Sequence, residues 1–514
     1  MIKNKLLVVL ICLLLFSEII EGKKGPRVLD YSLLKCYVDY FNRMENENII
    51  QAVPNVQAFN WLKENIPLFA CPQDNFEEIY YYRWWTYRKH IKETPLGYVI
   101  TEFLVPRSYA DKYNLISCAI GHHIFEGRWL HDSKYLIDYL KVWYRGNNGK
   151  PMEKLRKFSS WTAYALYNFY MVKGDINIVN EFFEDLVKDY FEWERIRRRS
   201  DGLFWQYDVQ DGMEESISGG RRVKNCRPTI NSYMYGNAMA LYEMSKIIGK
   251  DSLTQLFKRK ADTIKNLVQS KLWNDKQSFF ETLTEADTLA NVREAIGFIP
   301  WYFNLPDNGY EIAWKEITDV NGFLAPFGLT TAERRHPLFR SHGCCNCEWD
   351  GAIWPFATSQ TLTALANLIN NYNQNTVNDS IFFKHLELYV ESQYYRGCPY
   401  IGEYLDEKTG YWLKGDQERS RYYNHSTFCD LIITGLVGLR PHSDDILEIN
   451  PLIPKNKWDW FCLDNLLYHN KIITIIWDKT GKKFKKGKGF IILVNGKKVI
   501  NKPELSRILI SLKK

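Results

Sequence analysis

The sequence predicts a mainly α chain: a toroid of about six helical hairpins, an (α/α)6 barrel, followed by a small β-rich domain. Three observations predict it. Between about residues 30 and 440, apolar residues recur at helical spacing in segment after segment. Long polar connections carrying Gly, Pro, Trp and Tyr separate these segments, and no fixed-period self-similarity marks a solenoid. Near Pro441 the pattern changes to alternating β-branched and polar residues.

The elements follow in chain order. Lys3 and Lys5 precede the apolar run Leu6–Phe16, and a small residue, Gly22, closes the more polar stretch behind it. This is the pattern of a signal peptide over 1–22. The run is shorter than the roughly 20 apolar residues a bilayer span needs. A secreted or lumenal chain follows, with no membrane span in its mature form. Residues 23–50 lead into the barrel, which the sequence places at 51–440. The clearest helical segments are Leu33–Met44, Asn114–Leu130, Tyr135–Tyr144, Ser159–Val172, Ile176–Arg197, Thr229–Ile248, Leu253–Leu272, Asn291–Asn304, Ile353–Asn371, Ile381–Tyr395 and Ser426–Leu439. Between them run the long loops Asp201–Arg227, Gly322–Gly351 and Cys398–Tyr423, and ordered loops of that length usually carry function. The β domain, 441–514, is expected to hold strands in Asp445–Leu452, Lys471–Trp477 and Phe490–Asn495, with Asn495-Gly496 as a hairpin turn.

Composition narrows the function. The chain has 514 residues, 46% hydrophobic and 25% charged, which is globular rather than disordered. Its formal net charge of +7 owes much to Lys482, Lys483, Lys485, Lys486 and Lys488, which no nucleic-acid motif accompanies. A solvated surface, not nucleic-acid binding, is expected there. The 17 Trp and 33 Tyr exceed what a core needs and suit stacking on sugar faces. Of 11 Cys, Cys12 falls in the signal, and the remaining even number permits disulfides in an oxidising compartment. His342, Cys344, Cys345 and Cys347 form one crowded group rather than the two spaced ligand pairs of a structural zinc site. No metal and no cofactor are expected. His122-His123, in an apolar helix, reads as packed or pocket-lining. Asn378 and Asn424 head Asn-x-Ser sequons.

Three loops carry candidate chemistry. In Trp205–Ser216, four carboxylates lie among Trp205, Tyr207 and Met213, and apolar neighbours raise a carboxyl pKa as a general acid requires. In Cys347–Phe356, Asp350 sits between Trp349 and Trp354, a platform and a hydroxyl acceptor for sugar, or a tryptophan-packed helix start. In Tyr400–Trp412, Glu403 is a second carboxylate ahead of a turn.

Together these loops resemble the inverting (α/α)6 six-hairpin glycosidases: trehalase, the mannosyl-oligosaccharide glucosidases and the mannosylglycerate hydrolases. Asp211-Gly212-Met213-Glu214 is similar to the end of their acid motif, Trp349–Trp354 to their tryptophan signature, and Glu403 with Asp406 and Thr409-Gly410 to their base segment. Tyr80–Ile91, Ile299–Pro306 and Trp354–Leu368 resemble a mannosylglycerate hydrolase-like group. The resemblance implies Glu214 as general acid and Glu403 as general base. It implies Asp211, Trp205, Asn231, Trp349, Asp350, Trp354, Trp84 and Arg83 around the sugar. Glu214 is one methylene longer than the family's Asp, which keeps Asp211 and Glu215 as rivals for the acid. A glycoside hydrolase acting on a carbohydrate is expected. The alternatives are a phosphorylase or lyase on the same toroid, with Arg221-Arg222 and Arg334-Arg335 suiting a uronate, or a non-catalytic glycan-binding protein.

Overall fold

A computed structural model of the chain describes residues 27–344 and 346–513. The expected signal segment, the first part of the lead-in and Cys345 lie outside the described residues.

The helices Ile120–Gly127, Thr162–Lys173, Pro228–Ile247, Ile299–Tyr302, Pro355–Asn371 and the continuous pair Cys429–Leu431 and Ile432–Leu436 form a ring. Each touches the next, and the last touches the first. Lys134–Arg145, Ile176–Arg197, Asp251–Lys271, Asp379–Ser392 and Asp74–Lys89 pack outside, giving the expected toroid of hairpins. One end of the ring is tight. Gly174 takes a left-handed turn (φ 65°) and Asp175 caps the next helix by accepting the Asn177 N–H at 3.0 Å. The other end carries the long connections, each leading into the N-terminus of an inner helix. Pro228 and Pro355 begin two of these helices, where proline costs no hydrogen bond.

Buried carboxylates close the ring. Glu126 accepts the N–H groups of Phe428, Cys429 and Asp430 at 2.9–3.2 Å and so caps the last inner helix. Asp430 in turn holds Arg128 and the indole N–H of Trp129. These contacts fix the segment just upstream, 423–427, which faces the loop end.

Two helices escape the periodic pattern, Asn55–Asn65 and Asp74–Lys89. The second is buried on nearly every side by Tyr31–Arg43, Asp379–Ser392 and the sheet, so its run Tyr80–Trp85 shows no polar face. The expected helix 291–304 is broken into a 3-10 turn, Ala295–Phe298, and a short helix, Ile299–Tyr302, restarted at Pro300.

The C-terminal strands form two antiparallel sheets. Leu439–Arg440, Ile446–Ile449 and Ile508–Ser511 make one. The other runs Leu68–Ala70, Trp460–Tyr468, Lys471–Asp478, Gly489–Val494 and Lys497–Lys502. Its first strand comes from the N-terminal part of the chain, with Leu68 opposite Asp464, so the β region is not built from 441–514 alone. Asn495 and Gly496 both take positive φ, as a two-residue hairpin turn requires. Lys482, Lys483, Lys485 and Lys488 are exposed, as a solvated surface demands.

Most of the described cysteines are thiols, and one of the two sequons is buried. Cys36, Cys71, Cys118, Cys226, Cys347, Cys398, Cys429 and Cys462 are free thiols, whereas Cys344 is disulfide-bonded. Five of the eight are buried in separate parts of the core, where a thiol packs as a small apolar group. Asn424 is buried and its amide donates to the Thr101 carbonyl at 3.2 Å, leaving no room for a glycan. Asn378 is exposed. Among the described residues, no helix is long and apolar enough to cross a membrane, and no cluster of three His, Cys, Asp or Glu could hold a metal.

Candidate active site

The loops ahead of the inner helices enclose a cavity of about 820 Å³, within the usual range for small-ligand sites. Glu214 and Glu403 line it together with Trp349 and Trp354.

The acid loop is shaped by buried ion pairing. After the short helix Asp208–Asp211, Gly212 turns the chain at φ 82°. Asp211 points inward, where its carboxylate meets Arg227 Nε at 3.1 Å and the Thr229 hydroxyl. Glu215 pairs with Arg221. Of the three rival carboxylates, only Glu214 lines the cavity. Asp211 is therefore a pin, not a sugar contact. Asp211→Ala would strand Arg227 without its carboxylate in the interior, and a loss of about 3–5 kcal/mol of stability is expected on chemical denaturation. A loss below about 1 kcal/mol would contradict that role.

Glu214 and Glu403 stand in different electrostatic settings. Desolvation, and then the like charge of Glu403, push Glu214 up to about 7 against the opposing pull of Lys414 and Arg221. Glu403 is buried and faces two cations, Lys414 Nζ at 3.2 Å and Arg419 at 3.4 Å from Oε2. Its backbone N–H donates to the Ser420 hydroxyl at 3.2 Å. Cys347, in the left-handed region at φ 61°, brings its Sγ to 3.3 Å from Lys414 Nζ. One wall is a stack of three rings: Trp349 on Trp354 at 4.6 Å, and Trp354 on Tyr404 at 4.5 Å.

Several expected sugar contacts serve the scaffold instead. Trp205 packs edge-on against Tyr207 at 5.2 Å and lies beneath Arg197, and it is Tyr207 that reaches the cavity. Asn231 is fully buried, bracketing Phe204 through both its N–H and its carbonyl at 2.8 Å. Asp350 is buried and accepts from the His342 backbone and ring at 2.9 and 3.0 Å. Arg83 clips Gln393 at 2.9 Å and the Ser426 carbonyl at 2.7 Å, tying an outer helix to the segment behind the cavity. Trp84 packs against Tyr80 and Tyr87. None of these five lines the cavity. At Gly351 the backbone has φ 151°, and a side chain there would overlap the Phe339 ring.

Residues that the sequence motifs do not mark fill the remaining wall. Arg419, Tyr423 and His425 belong to the base loop and its continuation, a region whose density of Tyr, Arg and Lys was the available signal. Glu102, Arg107 and Lys157 come from the loops ahead of the first two inner helices and carry no motif.

A family model described as the mannosylglycerate hydrolase MGH1-like glycoside hydrolase domain matches residues 112–426. A second, the C-terminal domain of glycosyl hydrolase family 65, matches residues 439–501. A solved structure called a sialidase is 63% identical and superposes with a TM-score of 0.92, covering 94% of this chain and 44% of its own. The mannosylglycerate hydrolase of glycoside hydrolase family 63 from Thermus thermophilus, solved with glucose, is 12% identical. It superposes with a TM-score of 0.52 over 69% of this chain and 99% of its own, a likeness of fold. An uncharacterized protein of Borreliella burgdorferi is 22% identical over 183 residues, which is 35% of this chain and 38% of that protein. The chain thus spans less than half the length of the sialidase and of the Borreliella protein.

Proposed function

The chain belongs to the mannosylglycerate hydrolase MGH1-like glycoside hydrolase family, and from that premise we propose that it hydrolyses a glycosidic bond of an acidic glycan with inversion. The observation that carries the chemistry is the pairing, in one cavity, of a carboxyl raised to about 7 with a carboxylate flanked by two cations. Glu214 holds a proton near neutral pH and gives it to the leaving oxygen as the anomeric C–O bond breaks. Glu403 takes a proton from the water whose oxygen attacks the opposite face. Lys414 and Arg419 keep the Glu403 carboxylate oriented. The paired tryptophans offer a face for the sugar ring.

The cations point to the substrate class. Arg107, Lys157 and Arg222 line the same cavity, and among the described residues none of the three forms an ion pair with a carboxylate. A carboxylate or similar anion on the substrate is the partner such a wall favours. The name of the 63%-identical relative, a sialidase, supports an acidic sugar. The test is the purified chain on matched panels of neutral and acidic aryl glycosides, sialosides and uronides included. Turnover of acidic members, weakened by salt, is expected. Turnover confined to neutral members would overturn the acidic class, and glycan retention without turnover would favour a binding protein.

We further propose that the chain is exported through the basic and apolar segment 1–22. N-terminal sequencing of the mature protein should begin near residue 23, and a start at Met1 would contradict export.

A further inference from the structure

Glu102 stands two residues past the hairpin of Ile91–Thr94 and Gly97–Ile100, and its backbone is pinned on the cavity side. Its carbonyl accepts the Asn424 N–H at 2.9 Å, and the neighbouring Thr101 carbonyl accepts the Asn424 amide. The side chain lines the cavity, yet among the described residues no cation pairs with it, in contrast to Glu403. Its neighbours are donors that carry no charge: the Cys118 thiol at 3.5 Å and the Tyr423 hydroxyl.

On the other side of Tyr423 lies His425. The two rings meet edge to face at 3.7 Å, and His425 stacks on Phe356 at 5.7 Å. His425 is only 2% exposed and lines the same cavity, but among the described residues neither of its ring nitrogens has a hydrogen-bond partner. Two unpartnered nitrogens on a buried imidazole are costly unless something in the cavity engages them. Neither Glu102 nor His425 is needed for the acid and base steps proposed above.

We infer that Glu102 and His425 form the hydroxyl-reading wall of the sugar-binding pocket, each hydrogen-bonding a hydroxyl of the bound glycan and so setting which sugar is accepted. The inference rests on the cavity being a glycan site. Burial pushes the Glu102 carboxyl up to about 8, with Glu403 and Glu214 adding like charge. Burial pushes the His425 imidazole well below its usual range, with His122, Arg83 and His123 adding to the effect. Both groups are therefore neutral at pH 7, and each can donate and accept, as sugar hydroxyls require. A site built of such groups rejects a sugar that lacks the matching hydroxyl, because a buried polar atom is then left unpaired.

The test uses the full chain carrying Glu403→Gln, so that binding is read without turnover. The probe is the glycan that this chain retains best on an immobilised panel, with affinity measured by calorimetry. His425→Phe keeps the stacked ring and removes both nitrogens, and it should weaken binding by about 10–100-fold with little change in melting temperature. Glu102→Ala should weaken binding to a similar degree, whereas Glu102→Gln, neutral and of the same shape, should stay within about threefold. Deoxy analogues of the probe should identify the two hydroxyls: each variant should lose its penalty on one analogue. Unchanged binding by His425→Phe, or equal losses for Glu102→Gln and Glu102→Ala, would overturn the assignment. A chain that retains no glycan would overturn it as well. Retention with these effects but no turnover by the unsubstituted chain would leave the wall standing and remove only the hydrolytic reading.

Discussion

Glu403→Ala is expected to lower turnover by about 10²–10⁴-fold on every glycoside the chain accepts, whatever its leaving group. The reason is positional. In the proposed reaction the attacking water must lose a proton to a carboxylate, and Glu403 is the cavity carboxylate that two cations hold in place. A better leaving group does nothing for water activation, so the loss should be flat across a series of aryl glycosides. The KM should move little, because in the proposed complex the sugar is gripped by the rings and polar wall rather than by the base. Loss confined to poor leaving groups would identify Glu403 as the acid, and an active Glu403→Ala would remove it from the reaction.

Glu214→Gln should fail differently. Substrates with poor leaving groups should lose about 10²–10⁴-fold, and those with good leaving groups should be largely spared, since they depart with little help from a proton. The pH profile carries a second signature. A general acid with a pKa of about 7 is progressively deprotonated as pH rises through that value, so kcat/KM of the unsubstituted chain should fall on the alkaline side. Glu214→Gln should flatten that limb. Stability follows the same sign. Between the ordinary glutamate value of 4.5 and about 7, folded Glu214 keeps a proton that the unfolded chain gives up. Its contribution is present below that window and is lost as pH rises through it, so Glu214→Gln should be the more stable protein at pH 8. An unaltered alkaline limb in Glu214→Gln would show that another group supplies the proton.

The toroid was legible because most of its inner and outer helices keep the helical apolar period, and its loops because aromatics and carboxylates crowd within a few residues. What stayed hidden depended on partners distant in sequence. Trp205 and Tyr207 are equally plausible in the sequence, and the packing of Arg197 on Trp205 leaves Tyr207 to face the cavity. Arg83 and Asp350 look like sugar ligands until Ser426 and His342 are seen to occupy them. Glu102 is a lone carboxylate among apolar residues, and only the fold brings it beside Tyr423. Trp460–Tyr468 escapes recognition as a strand because its residues are buried on both faces, which removes the alternation that marks half-exposed strands. The free thiols show the same limit: an even cysteine count permits bridges, but only proximity makes them.

In the proposed reaction Glu214 and Glu403, as acid and base, act on opposite faces of one anomeric carbon. Proton NMR of the first sugar released, recorded before mutarotation, tests this most directly. The anomer of inverted configuration is the predicted product. Release of the retained anomer would require a covalent sugar–enzyme intermediate and would contradict that assignment.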